Sequence, residues 1–408
     1  MNNLCTDVGY VYCGKYGEQL CGDHVEVSPN PGREIYAVPE AGEGETRGDK
    51  LTVAVLADGL GSGVKACILS TLTAKIISTM MANSLTVEDC VAAIAATLPI
   101  CKVRRIAYST FTIIRVTNNQ EAEIIQYDNP HVILLRRGKN FDYPKTSETI
   151  DRKTIYKTKL KLHEDDTFIA MSDGVIHAGA GRSLNFSWQR GDIIRFMEEV
   201  YDKSFTAKTL SSILLNKCTA LYGGEAGDDT TICTVKIRPR RTINLLAGPP
   251  VNPDDVAKMM TLFFSKEGKH IVCGGTTGTL AAEFLRKPLD AGIPRYADPE
   301  IPPTAKIDGV DLVTEGVITI HRVLEYARDY LAGNENYVRW NVGQDGASQV
   351  ARLLFEEATD INFFVGRAVN PAHQNRDLPI DLNIKTRLVD ELAACLREMG
   401  KRIRVSYF

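Results

Sequence analysis

The chain has 408 residues, 44% hydrophobic and 24% charged, the balance of a globular protein rather than a disordered or fibrous one. Its formal net charge of −3 lacks the basic excess of a general nucleic-acid binder, so no nucleic-acid partner is expected. The length exceeds one ordinary core and predicts two domains of roughly 150 to 250 residues each.

The N-terminal stretch "MNNLCTDVGYVYCGKYG" is polar and lacks the basic-then-apolar layout of a secretory signal. No apolar run approaches the roughly 18 residues that cross a bilayer, so a cytoplasmic protein without a membrane partner is expected. Cys5, Cys13 and Cys21 are evenly spaced but have no paired histidines, which argues against zinc. Cys67, Cys101, Cys233 and Cys273 lie in apolar runs and read as buried reduced thiols.

Up to about residue 240, strands are predicted at "LTVAVLA", "YSTFTIIRV", "EAEIIQY", "HVILLRRG", "DTFIAMS" and "TTICTVKI", several alternating apolar with polar. Helices are predicted after Gly63, at "TVEDCVAAIAATL", where Thr86 and Asp89 have capping-box spacing, and at "TAKTLSSILLNKCTALYGG", which ends in a glycine pair. Blocks of strands punctuated by helices predict an α+β sandwich for residues 1–238.

Acidic residues recur at the ends of these strands. Asp58 closes "LTVAVLAD" and Asp173 follows "FIAMS", each before a glycine. Asp228 and Asp229 precede "TTICTVKI", and Asp23 follows a glycine ahead of an alternating segment. Taken singly, each Asp-Gly reads as a turn. Taken together, with Asp228 and Asp229 as one, these four acidic positions can converge at one edge of a sandwich, where mutual repulsion raises their pKa values unless a cation compensates. Hard oxygen ligands favour Mg²⁺ or Mn²⁺, and a two-ion site suits hydrolysis of a phosphate ester.

"CGD", "DGLGSGVKA", "SDGV" and "GDDTT", in that order, resemble the motifs of the metal-dependent PPM (protein phosphatase 2C-like) serine/threonine phosphatases, in the bacterial stage II sporulation protein E (SpoIIE-like) branch. "YSTFTII" and "DNPHVILLRRG" also look like that branch, and the resemblance spans about residues 15–237. It implies that Asp58 bridges two metal ions, Mn²⁺ or Mg²⁺, with the Gly59 carbonyl and Asp23 serving one and Asp173 and Asp228 completing the other. Asp58 and Asp173 are thereby the residues on which catalysis is expected to depend, with Asp229 supporting them from behind. Gly61 and Gly63 are expected to keep the turn low enough for a metal and a phosphoprotein to approach. The phosphate-binding arginine and histidine acid of eukaryotic members have no evident counterparts; His24 and His177 are the nearest histidines, and neither has a demonstrated reach.

The character changes at "RPRRT", a short basic link, and residues 239–408 alternate strand and helix. "NPDDVAKMMTLFFSKEGK" has an Asn252 cap, Pro253 in the first turn and apolar residues at i, i+3, i+4, i+7 and i+8. A Rossmann-like α/β domain with a mostly parallel sheet is expected. "HIVCGGTTGTLAAEFL" puts Gly274, Gly275, Thr276, Thr277 and Gly278 at a strand-to-helix turn that could hold a small anionic ligand, although it is neither a P-loop nor a full dinucleotide fingerprint. Thr314 and Glu315 repeat the geometry, with Arg367 as a candidate balancing charge.

The reading is therefore a phosphoprotein phosphatase fused to a regulatory, ligand-sensing or substrate-recruiting domain, with a homodimer left open. The rivals are a pseudophosphatase that keeps the fold as a binding module, and an enzyme acting on a small phosphorylated metabolite.

Overall fold

The structure is a computed structural model, and it describes residues 3–28, 51–97, 109–150, 153–181, 188–291, 304–334, 337–368 and 384–408. Cys101 lies outside the described residues. The chain divides into two compact units, one ending at Pro239 and the other beginning at Arg240.

In the first unit the strands are β1 (Leu4–Cys13), β2 (Asp23–Ser28), β3 (Leu51–Asp58), β4 (Thr110–Thr117), β5 (Glu121–Tyr127), β6 (Ile133–Arg136), β7 (Lys139–Asn140), β8 (Thr146–Ile150), β9 (Lys153–Lys161), β10 (Asp166–Met171) and β11 (Thr230–Pro239). The helices are α1 (Gly63–Ala82), α2 (Val87–Thr97), α3 (Asp173–Ile176), α4 (Arg190–Val200) and α5 (Ala207–Tyr222). Two antiparallel sheets form, in the orders β1-β11-β10-β6-β7 and β2-β3-β4-β5-β9-β8.

Strand alternation sorts the apolar residues into layers. Ala54 and Leu56 of β3 pack with Phe168, Ala170, Cys233 and Val235 between the two sheets. Val53, Val55 and Ala57 face the other way, onto Ala74, Ile77 and Met81 of α1 and Val91 and Ile94 of α2. Ile169, Met171 and Ile232 likewise pack on α4 and α5 through Ile193, Met197, Leu210 and Leu214. The result is a four-layer α/β/β/α sandwich, which is why β3 reads as an unbroken apolar run: both of its faces are covered.

The predicted helix boundaries hold for local reasons. Asp89 N donates to Thr86 Oγ1 at 3.2 Å and Thr86 N to Asp89 Oδ2 at 3.1 Å, a reciprocal cap for α2. Gly223 ends α5 at φ 66°. One expectation needs correction: α1, at 20 residues, is long and apolar enough to cross a membrane by length and composition. Its buried face nevertheless packs on the six-stranded sheet. Cys67 is also only half-buried, whereas Cys233 and Cys273 are buried as expected.

The second unit contains β12 (Thr242–Ala247), β13 (Lys269–Cys273), β14 (Asp290–Ala291), β15 (Ala305–Lys306), β16 (Leu312–Thr314), β17 (Asp360–Val365) and β18 (Arg402–Tyr407). Its helices are α6 (Val256–Phe264), α7 (Gly275–Leu285), α8 (Val317–Ala332), α9 (Tyr337–Val342), α10 (Gly346–Ala351) and α11 (Ile384–Glu398). The sheet order is β14-β15-β16-β13-β12-β17-β18, and the five strands from β16 to β18 run parallel. Leu246, Val272 and Phe364 pack on α6 and α7, while Leu245, Ile271 and Phe363 pack on α8, α10 and α11. Helices on both faces of a mostly parallel sheet make this a doubly wound α/β domain.

Candidate metal centre

Asp23 opens β2, Asp58 ends β3, and the two are directly paired across the ladder. Asp23 shares a strand face with Val25, and Asp58 with Leu56, so both carboxylates lie on the face that looks between the sheets. From the opposite sheet, β10 runs into Ser172 and Asp173, while β11 starts just after Asp228 and Asp229. Ser172 N donates to Thr231 O at 3.0 Å and Thr231 N to Ser172 Oγ at 2.9 Å, which carries the β10–β11 pairing out to that edge. Both core faces thus end in polar residues at one edge of the sandwich.

Glycines let the pieces approach. A Cβ on Gly59 would lie 2.2 Å from Ala66 O and 2.6 Å from Gly22 O, and one on Gly174 would lie 2.1 Å from Asp229 O. At Gly61, by contrast, a Cβ would meet nothing within 4 Å, and glycine is favoured there by its φ of +99°. Gly59 and Gly174 thus permit close approach within the chain, while Gly63, at φ +71°, would set a Cβ 2.9 Å from Glu18 Oε2.

The electrostatics follow from burial and crowding. Asp58 is pushed up to about 9, first by burial and then by the charges of Asp23, Asp173 and Asp228. Asp23 is pushed up to about 6, again chiefly by burial, with the nearby Ser172 and Thr231 hydroxyls pulling down and Asp229 and Asp173 pushing up. Those hydroxyls are neighbours rather than well-aligned partners, since both oxygens of Asp23 are buried without a hydrogen bond. Asp228 is also raised, by burial and Asp173, against the opposing Asp229 N–H and Lys15.

Such a donor set fits a divalent cation. Carboxylate oxygens are hard ligands, and a cation would give Asp23 the partner it lacks while cancelling the repulsion that raises Asp58. Among the described residues no three His, Cys, Asp or Glu side chains already stand as a closed metal site. Asp173 and Asp228 are half-buried.

Three residues with a part in this edge have no clear mark in the sequence. The segment between Gly14 and Gly22 is tied at Lys15 N to Asp229 Oδ1 (3.0 Å) and at Tyr16 N to Ala226 O (2.9 Å). It is also tied at Glu18 Oε1, which accepts from Ser62 Oγ at 3.1 Å beside the start of α1. Lys15 brings a positive charge to Asp228, Glu18 secures the α1 turn, and Asp229 holds the segment down, consistent with a supporting place. Neither histidine joins them: His177 is exposed beyond α3, and His24 Nε2 lies 3.2 Å from Glu26 Oε2 on the other face of β2.

In the second unit, the five residues from Gly274 to Gly278 do form the start of α7, but much of their bonding capacity is spent internally. Gly274 N donates to Thr314 O at 2.9 Å, Gly278 N to Gly274 O at 2.8 Å, and Thr277 Oγ1 accepts from Gly248 N at 3.1 Å. Thr277 is thus a structural tie, and Gly275 and Thr276 are the exposed members. Glu315 Oε2 accepts from Ile318 N at 3.1 Å and caps α8, while Arg367 lies over the Tyr407 ring at 5.8 Å. The proposed pairing of Glu315 with Arg367 does not occur.

A family model described as stage II sporulation protein E (SpoIIE) matches residues 48–238 and bears out the resemblance read from the motifs of the first domain. Asp23 lies upstream of the matched segment, and the second unit lies beyond it. No curated protein matches the chain. Among solved structures, the chain is similar to the phosphatase domain with a regulatory fragment of the cell fate determinant SpoIIE from Bacillus subtilis. The identity is 16% over 58% of this chain and 64% of that one, with a TM-score of 0.45. It is also similar to the RsbU and RsbW domains of Rv1364c from Mycobacterium tuberculosis, at 14% identity over 63% and 68%, TM-score 0.46. A crystal form of the Bacillus subtilis SpoIIE phosphatase domain without domain swapping matches at 15% over 59% and 95%, TM-score 0.41.

Proposed function

We propose, from a first unit that carries the SpoIIE pattern over residues 48–238, that this chain is a metal-dependent phosphatase acting on phosphoserine or phosphothreonine of a regulatory protein. The observation that carries the reading is Asp23: a buried carboxylate with both oxygens unpartnered, directly across the ladder from a second, half-buried carboxylate, Asp58. A scaffold gains nothing from such a pair, because each acid raises the cost of ionising the other.

Asp23, Asp58, Asp173 and Asp228, with the Gly59 carbonyl, would hold two Mn²⁺ or Mg²⁺ ions. When bound, such ions supply a nucleophilic water at neutral pH and neutralise charge at phosphorus. The chain's own part would be to align Asp58 and Asp23 through the β2–β3 pairing and to offer Asp173 and Asp228 from the second sheet, the cation supplying the charge that keeps the acids ionised. Lys15 adds a positive charge beside Asp228, where a phosphate dianion would otherwise meet only acids. The second unit would serve as the sensory or recruiting module, and such an enzyme would meet its substrate in the cytoplasm.

The test is phosphate release from a phosphoserine peptide and from a phosphorylated small metabolite, with and without Mn²⁺. Metal-dependent release from the peptide, abolished in Asp58→Ala and Asp173→Ala, is expected. Equal rates in wild type and both variants would remove the assignment, and release from the metabolite alone would move the substrate class.

A further inference from the structure

The acidic edge of the first unit has an apolar flank. The segment between Gly14 and Gly22 is tied to that edge by Lys15 N, which donates to Asp229 Oδ1 at 3.0 Å, and by Gly22 O, which accepts from Gly59 N at 3.1 Å. It is tied as well to the start of α1: Glu18 Oε1 accepts from Ser62 Oγ at 3.1 Å, and a Cβ on Gly63 would lie 2.9 Å from Glu18 Oε2. Segment and helix start thus form one wall beside the acids.

That wall is apolar where a solvated helix would be polar. Val64, Ile68 and Leu72 follow one another at i, i+4 and i+8 on α1, and they are 61%, 52% and 41% exposed. The outward face of a surface helix ordinarily carries polar residues. Lys75 lies about three turns on from Val64, on nearly the same bearing, and its Nζ reaches Glu26 of β2 at 3.0 Å. The flank that holds Val64 therefore faces the β2 side, from which the segment between Gly14 and Gly22 arrives. That segment adds Tyr16 and Leu20, both exposed. No acid stands in the first turn of α1, and the segment's one carboxylate, Glu18, is bonded to Ser62.

A contiguous exposed apolar patch rimmed by polar residues marks an interaction site. The place fixes the occupant, because a phosphoserine whose phosphorus reaches Asp58 and Asp228 carries its neighbouring residues across this wall. From Val64 to Ile68 the helix rises about 6 Å, which an extended peptide covers in about two residues. We infer that Tyr16, Leu20, Val64 and Ile68 form the substrate-docking surface of the first unit and select a phosphoserine with bulky apolar side chains within about four residues of it. Lys15 stands at the acidic end of the wall, beside Asp228, and the apolar part takes the flanking chain. A polar flank would gain nothing there, since only apolar surface is driven out of water. The inference rests on the phosphatase reading, which supplies the phosphorylated partner.

Fluorescence anisotropy with the full chain in Mn²⁺ tests it without turnover. Two peptides carry a difluoromethylene phosphonate in place of the serine phosphate and differ only in having leucine or serine at the flanking positions. The leucine peptide is expected to bind at least about tenfold more tightly, and Val64→Gln combined with Ile68→Gln should bring the two within about twofold. Glutamine is a better helix former than valine or isoleucine, so α1 should persist in the double variant. Tyr16→Ser, on the other part of the wall, should reduce the preference independently. Equal affinities in the wild type, or a full preference kept by both the folded double variant and Tyr16→Ser, would overturn the docking surface. So would a dimer in sedimentation equilibrium that separates in the double variant while the wild type prefers neither peptide, since a second copy would then own this face. Phosphate release from the matching phosphoserine peptides distinguishes the two readings. No release despite preferential binding would sink the phosphatase and leave a phosphopeptide-docking surface, whereas release from both peptides with equal kcat/KM would sink the docking surface and leave the phosphatase.

Discussion

At one edge of the first unit, strands from two sheets bring Asp23, Asp58, Asp173 and Asp228 together, and burial makes the charges of Asp23, Asp58 and Asp228 expensive. At the C-terminal strand edge of the second unit, β12, β13 and β17 each run straight into a glycine, and the charge resting there is an ammonium. Both folds concentrate their chemistry where strands end, because the strand interiors are committed to packing. They differ in sign: the first gathers carboxylates whose charges repel, while the second carries the ammonium of Lys385 over buried glycine backbone.

The largest separation between the two edges should appear in activity. Asp58→Ala is expected to lower Mn²⁺-dependent phosphate release by about 10³-fold or more, the scale of losing several kcal/mol of charge stabilisation. Lys385→Gln, which alters only the second edge, should leave turnover of a short phosphopeptide within about threefold of wild type, since a peptide needs no recruiting module. Comparable losses in both variants would mean that the division of labour drawn between the units is wrong.

Stability separates positions within the first edge. Gly59→Ala forces a methyl into the backbone of Ala66 and Gly22, so a cost of about 1–3 kcal/mol and a melting temperature lower by roughly 3–10 °C are expected. Gly61→Ala has open space and pays only for its positive φ, about 1 kcal/mol. Thermal melts of the two variants side by side check the distinction, and equal losses would show that the close approach at Gly59 is not what the edge depends on.

Part of this was legible in the sequence and part was not. The buried strands β3, β10 and β11 are apolar enough to be read directly, and the caps at Thr86, Asn252 and Gly223 mark helix ends as the structure has them. Strand β1 escapes because Thr6, Asp7 and Gly9 interrupt its apolar residues and its Tyr10 and Tyr12 are exposed. Strand β9, "KTIYKTKLK", reads as a charged loop because its lysines face outward, where Lys157 meets Glu88 and Glu148. The order of the four acids could be read, but Lys15 and Glu18 could not, since their placement depends on contacts with residues 44 to 214 positions away. In the second unit the turn at Gly274 was visible, whereas the approach of Lys385 to Gly248 spans the whole domain and leaves no local pattern.

A pH titration without metal sharpens the contrast further. Asp58 has its folded value raised from 3.8 to about 9, so its protonated form is favoured by folding. The stability it contributes is complete below the unfolded value and is lost as pH rises through about 9. In EDTA the first unit should therefore melt progressively lower from about pH 4 to pH 9, and Asp58→Asn should flatten that slope, as should saturating Mn²⁺ in the wild type. A melting temperature that is independent of pH in EDTA, or identical slopes in wild type and Asp58→Asn, would mean that the carboxylates are not crowded as described.

The smallest effect is expected at His24, and it probes the face assignment directly. His24 adjoins Asp23 in sequence, and proximity alone would make it a candidate proton donor. Strand alternation turns it to the opposite face, where Glu26 bridges it and Lys75 of α1 at 3.2 and 3.0 Å. A general acid must come within about 3 Å of the group it protonates, directly or through one water, and no rotation of His24 carries it across its own strand. His24→Ala should change phosphate release by less than about twofold and stability by under about 1 kcal/mol, the range of an exposed ion pair. A tenfold loss in kcat together with a shifted pH–rate profile would place His24 on the metal side, and the pairing of Asp23 with Asp58 that orients the whole edge would have to be redrawn.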